Sequence, residues 1–135
     1  MIFLLDTNAV TDLMNDHAVL RARVSGVVPP DRAVICSIIR GEIRFGIDRL
    51  PHGRRRHDLD ARAAKVFAVV PCESVPAAAG DEYARIKVAR KKQGLAFDEN
   101  DVWIAATASV LGAVLISRDM DFRRTPGLTV EDWTH

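Results

Sequence analysis

Short apolar runs that stop abruptly at a polar residue, separated by longer stretches of helical periodicity, constrain this chain more than any other feature. Ile2-Phe3-Leu4-Leu5 halts at Asp6, and Arg32-Ala33-Val34-Ile35-Cys36 follows Pro29-Pro30-Asp31 and halts at Ser37. Ala113-Val114-Leu115-Ile116 starts after Gly112 and halts at Ser117, and Leu128-Thr129-Val130 is a weaker run after Pro126-Gly127. Continuous apolar runs of this length suit strands buried on both faces of a parallel sheet. Between them lie helical patterns. Ser37 is placed to cap a helix through Ile38, Ile39, Ile43, Ile47 and Leu50, and Ser74 to cap another with Pro76 in its first turn, Ala79, Tyr83 and Ile86 on one stripe, and an end at Gly94. Residues 98–111 form a third, with Val102, Ala105, Ala106 and Val110 as its apolar face. The alternation predicts a single three-layer α/β domain over residues 1–135 with a largely parallel sheet.

The chain is 135 residues long, the size of one ordinary domain. No apolar stretch approaches the ~18–20 residues of a membrane span, and Asp6 comes too early for a signal peptide, so the expectation is a cytoplasmic protein with no membrane partner. Cys36 and Cys72 each sit in an apolar segment and are read as buried, reduced thiols. The 19 Lys plus Arg nearly cancel the 18 Asp plus Glu, for a net charge of +1. The charge is segregated, however: Asp6, Asp12 and Asp16 open the chain with no base among the first twenty residues, whereas Arg54-Arg55-Arg56 and the run Arg85, Lys87, Arg90, Lys91, Lys92 are strongly basic. Local clustering of this kind, rather than the net sum, bears on nucleic-acid binding.

Four acids fall where such a sheet builds its ligand site. Asp6 follows the first strand, and Asp119 follows Ser117-Arg118 after a later one, so both lie at the carboxyl edge. Glu42 is on the helix that begins where the second strand ends, beside Ile39 and Ile43, and Asp101 opens the 98–111 helix, whose start abuts the same edge if connections are short and right-handed. Each acid alone has a simpler use. Asp6 or Asp119 can cap the next helix, Asp101 can complement a helix dipole with Asp98 as the cap, and Glu42 can pair with Arg40 or Arg44 at the surface. Together they would repel one another, and their convergence implies a cation.

The donor set is all oxygen, since His17, His52, His57 and His135 lie outside these segments. That favours Mg²⁺, with Mn²⁺ as a possible substitute, over zinc or softer metals. Mg²⁺ held by a few carboxylates takes substrate phosphate oxygens into its shell and activates water, which suits hydrolysis of a phosphodiester. No Walker-type loop, Gly-x-Ser-x-Gly elbow, or His beside a Cys or Ser nucleophile offers another scheme.

The residues around these acids resemble the PIN-domain family, specifically the VapC-type ribonuclease toxins of bacterial and archaeal VapBC type II toxin–antitoxin pairs. The resemblance runs the whole chain: Leu4-Leu5-Asp6-Thr7-Asn8; Ser37 to Gly46 with Gly41-Glu42-Ile43; Asp101-Val102-Trp103-Ile104-Ala105-Ala106-Thr107-Ala108; and Ser117-Arg118-Asp119-Met120-Asp121-Phe122 with Gly127-Leu128 and Trp133. Ser117 departs from the more usual Thr but keeps the hydroxyl. The resemblance implies a three-layer α/β/α PIN-like fold with a mainly parallel sheet, and an Mg²⁺-dependent endoribonuclease that hydrolyses RNA with a metal-activated water. It implies an acidic metal site of Asp6, Glu42, Asp101 and Asp119, with Asp6 and Asp101 as direct ligands and Thr7 and Asn8 in support. Asp121 is a secondary candidate, read instead as a turn residue before a buried Phe122. The resemblance also implies a homodimer and a cognate VapB-like antitoxin blocking the cleft. The competing classes are a carboxylate–Mg²⁺ DNA nuclease or phosphotransferase, and a catalytically silent PIN-like RNA-binding or regulatory module. An aspartyl-phosphate enzyme would want an acid where Asn8 stands, and a binding module has no need of mutually repelling acids.

Overall fold

The structure, a computed structural model, describes residues 1–96 and 98–135. Strands β1 (Ile2–Leu5) and β2 (Arg32–Cys36) fall on the first two apolar runs. Helices α1 (Thr7–Met14) and α2 (Ala18–Ser25) lie between them, and α3 (Ser37–Asp48) and α4 (Arg54–Val69) follow β2. The chain continues through β3 (Cys72–Glu73), α5 (Ala78–Lys92), α6 (Glu99–Leu111) and β4 (Val114–Ile116), then a 3₁₀ turn over Met120–Arg124 and β5 (Val130–Glu131).

All five strands join one sheet in the order β3-β2-β1-β4-β5, and every pairing is parallel. Leu4 lies opposite both Val34 and Leu115, so β1 is flanked on both sides and its side chains are wholly buried toward its carboxyl end. The chain steps outward from β1 to β2 to β3, then returns past β1 to lay down β4 and β5. Right-handed crossovers therefore put α1–α4 over one face and α5–α6 over the other. In keeping with this, α1, α3 and α4 pack on one another and α5 packs closely along α6. The reversal of direction between β1 and β4 is the crevice where open α/β sheets bind ligands.

The core gathers Leu4, Leu5, Val34, Ile35, Leu115 and Ile116 from the strands, with Ile39, Ile43 and Ile47 of α3 and the Val102–Ala108 stretch of α6 packed on them. Most charged side chains remain outside it. Among the described residues the buried set includes two charged groups, Asp6 and Arg90, each 3% exposed. No helix among the described residues is long and apolar enough to cross a membrane.

Several local expectations change. Ser37 is the first residue of α3 rather than its cap; Cys36 takes the cap position in extended backbone without a side-chain hydrogen bond. Ser74 does not cap α5, which begins four residues later behind Ala77, because Pro76 and its flanking residues stay outside the helix. Cys36 is buried, but Cys72 is exposed, lying on an edge strand of only two residues. The 98–111 helix is accurate: Asp98 caps α6 by accepting a hydrogen bond from the Asn100 amide at 2.9 Å, and Gly112 ends it in the left-handed conformation at φ 64°.

Truncation of Leu4 to Ala, at the middle of the central strand, is expected to cost about 2–5 kcal/mol through lost burial and a residual cavity. Truncation of the exposed Val69 should stay within ~0.5 kcal/mol of wild type. Urea unfolding of the two variants checks the contrast.

Candidate active site

Asp6 ends β1 and begins α1. Its amide donates to the Ile116 carbonyl at 3.1 Å, which ties it to β4, and its Oδ1 accepts from the Ala9 amide at 2.8 Å as the cap of α1. Across the crevice, Ser117 follows β4 and is 3% exposed. Its hydroxyl hydrogen-bonds the Asp6 carboxylate and also accepts from the Asp119 amide at 3.0 Å. One hydroxyl thus joins the two acids that end the central strands. Asp119 in turn caps the 3₁₀ turn, accepting from the Asp121 amide at 3.0 Å.

Glu42 reaches the crevice from the second turn of α3. The Thr7 hydroxyl donates to its Oε1 at 2.6 Å, which locks α1 to α3. Asp101 arrives from the first turn of α6. These four acids, with Thr7 and Asn8, line one pocket. A fifth acid shares it: Asp98, three residues before Asp101 and so one turn away on the same face. Sequence alone assigns Asp98 only the cap of α6, although its i, i+3 spacing is enough to place it beside Asp101. Asp121 stays outside, exposed and 3.9 Å from Arg124, as a turn residue before the buried Phe122.

Burial and crowding determine the electrostatics. Burial pushes the Asp6 carboxyl up to about 6, against the opposing pull of its Ser117 and Ala9 hydrogen bonds, and Asp119 adds to the rise. Burial likewise pushes Asp101 up to about 7, with the negative charges of Asp98, Glu42, Asp119 and Asp6 adding to it. Among the described residues no Lys or Arg lines this pocket. The nearest base in sequence, Arg118, is turned to α1, where its Nε donates to Asp12 Oδ2 at 3.1 Å.

The donors are carboxylate, hydroxyl and amide oxygen, with no imidazole or thiol among the lining residues, which is the chemistry of a hard divalent cation. Among the described residues no three His, Cys, Asp or Glu side chains stand close enough, as placed, to share one ion. The acids form the walls of the pocket rather than meeting at a point.

The PIN-domain family profile matches residues 3–128. Ribonuclease VapC1 of Haemophilus influenzae (strain R2866) is 33% identical over 141 residues, covering 99% of each chain. Among solved structures, VapBC-1 from nontypeable Haemophilus influenzae superposes with a TM-score of 0.88 at 30% identity over the whole of both chains. VapBC2 from Rickettsia felis, bound to a DNA fragment from its promoter, superposes with a TM-score of 0.90 at 21% identity, covering 98% of this chain and 99% of that one.

The raised acids have a consequence for stability. An unfolded aspartate titrates near 3.8, whereas Asp6 and Asp101 titrate near 6 and 7 in the folded chain. Between these values the folded state binds more protons than the unfolded one, so stability falls as pH rises through the window. The carboxylates held low by ion pairs or hydrogen bonds, such as Asp60 and Glu82, act in the opposite sense only in more acid solution. The urea midpoint of the metal-free protein should therefore decline from pH 5 to pH 8. Asp101→Asn should flatten that decline and be the more stable protein at pH 8; parallel curves for the two proteins would contradict the charge crowding.

Proposed function

The chain belongs to the PIN-domain family, and we propose that it is the toxic component of a type II toxin–antitoxin system, an Mg²⁺-dependent endoribonuclease that hydrolyses RNA phosphodiester bonds. One observation carries this reading: five carboxylates share a pocket at the switch point of the sheet, with no Lys or Arg among the described residues of its lining to compensate them. Full-length similarity to a protein named as a ribonuclease supports RNA as the substrate class.

Asp6 and Asp101 would hold the cation, with Glu42 and Asp119 completing the acidic wall. Bound there, Mg²⁺ supplies charge neutralisation, activation of water and stabilisation of the leaving oxygen. The protein's own contribution is rigidity. Thr7 keeps Glu42 from rotating out of the pocket, and Ser117 fixes Asp6 and Asp119 relative to each other through one hydroxyl. Such supporting bonds orient ligands. Asn8, exposed on the pocket lining one residue further along α1, offers an amide to the approaching substrate.

Two partners complete the reading. Superposition on VapBC-1 supports a VapB-like antitoxin as partner; we further propose that it covers the acidic pocket and that the toxin works as a homodimer in the cytoplasm. Co-expression with its cognate antitoxin should relieve toxicity, and the purified toxin should run at twice its 14.9 kDa mass.

The direct test is cleavage of total RNA with Mg²⁺, with EDTA, and by variants. Asn caps a helix as well as Asp, so Asp6→Asn keeps α1 while removing a ligand charge. Asp6→Asn and Asp101→Asn should each cut more than ~100-fold more slowly, whereas Thr7→Ala should lose ~10–100-fold, as expected for a supporting bond. Variants of Asp6 and Asp101 that cut as fast as wild type would overturn the reading.

A further inference from the structure

The basic run on α5 does not act as one surface. Arg85 is bound to Glu82, with Nε at 3.1 Å from Oε2 and a second contact through Nη2. Lys92, seven residues on, shares its side of the helix. Lys87, Arg90 and Lys91 have i, i+3 and i+4 spacing and occupy another side, where they line a pocket with Leu95, Glu99 and Val102. Arg90 lies at its base, 3% exposed, with one Nη donating to the Ala96 carbonyl at 3.1 Å. A buried guanidinium costs desolvation energy, and here it provides a fixed positive charge beneath two lysines at the surface. Lys87 donates to Tyr83 Oη at 3.0 Å and pairs with Glu99. An ammonium has three donors, which leaves it a third.

The position of this pocket gives it a use. Glu99 and Val102 line it, whereas Asp98, Asp101 and Ile104 line the acidic pocket, so the first turns of α6 are the wall between the two. A helix with its side chains is about 10 Å across, a span that a strand covers within a few nucleotides. A polyanion entering the acidic pocket needs cations within that distance, and among the described residues none line the acidic pocket itself.

We propose that the Lys87–Arg90–Lys91 pocket is a phosphate-binding subsite for the RNA strand whose scissile bond lies in the acidic pocket, with Lys87 and Lys91 as its ligands and Arg90 as the fixed charge beneath them. This rests on the ribonuclease reading above. It divides the five bases into a strand-binding face and a face, Arg85 and Lys92, that takes no part.

Binding separates the two. Fluorescence anisotropy of an end-labelled single-stranded RNA of mixed sequence, with EDTA present to prevent hydrolysis, should show that Lys87→Gln/Lys91→Gln weakens affinity about tenfold at low salt and lowers the slope of log K against log salt by about 0.7 per lost phosphate contact. Arg85→Gln/Lys92→Gln should bind as wild type, and Lys87→Arg/Lys91→Arg should recover the lost affinity. Because Lys87 also holds Glu99, Lys91→Gln alone provides a variant that leaves that pair intact, and it should show part of the loss. Wild-type affinity in Lys87→Gln/Lys91→Gln would overturn the subsite, as would an equal loss from both double variants. A wild-type protein that binds no RNA at any salt would remove the ribonuclease reading and the subsite together, an outcome distinct from either.

Discussion

The structure turns on the position of Asp6. It is the last residue before the chain leaves the central strand, so its amide must pair with β4 while its side chain begins α1. A carboxylate there is buried by the same strand pairing that makes the core, and its charge cannot escape to solvent. The helix end supplies partial compensation: the Ala9 amide and the positive end of α1 both face the carboxylate. The same device recurs at Asp119 on the 3₁₀ turn and at Asp98 on α6. Capping and site formation are therefore one function here rather than competing uses of the same residue. Asp6, Asp98 and Asp119 are each stabilised locally by the helix or turn they start, which lets the fold tolerate acids that destabilise one another across the pocket.

That tolerance is incomplete, and the remainder is what makes the pocket useful. Local hydrogen bonds hold Asp6 down, yet burial still raises it; Asp101, with less local support, rises further. The free energy stored in this crowding is released by whatever neutralises it, and a hard cation does so without a proton. Thr7 and Ser117 matter for the same reason. A repelled carboxylate swings toward water unless something restrains it, and these two hydroxyls restrain Glu42, Asp6 and Asp119 from three different elements.

Much of this was legible in the sequence because the relevant signals are local. Strands β1 and β2 are continuous apolar runs with polar stops, and the acids stand at or just beyond such stops. What escaped was set by tertiary context. Strand β3 is two residues long and pairs only at the sheet edge, too short for any periodicity to mark, and so Cys72 read as buried. Ser37 and Ser74 have capping chemistry, but the chain enters α3 directly from the strand and delays α5 past Pro76, so neither hydroxyl is used as a cap. The spacing of the five bases of α5 already spreads them over more than one face, but which of them are held depends on burial and on partners, one of them remote in sequence. Glu99 lies twelve residues beyond Lys87, and Arg90 is covered by packing.

Helix α6 explains why a chain with a net charge of +1 can hold such opposed fields side by side. Residues spaced by three stay on one face of a helix, and residues one apart turn about 100° away. Asp98 and Asp101 therefore face the crevice, while Glu99 and Val102 face α5 and its lysines. Glu99 is the exception that fits: an acid on the basic side, pairing with Lys87 and receiving the Tyr83 hydroxyl, it fastens α5 to the turn that carries Asp101. Stacking of Tyr83 on Trp103, with ring centroids 4.2 Å apart, continues the same seam one turn further along. The contacts that hold α6 in place are thus the contacts that keep the positive pocket next to the negative one. Displacing the helix would separate the two fields as well as misplace a carboxylate.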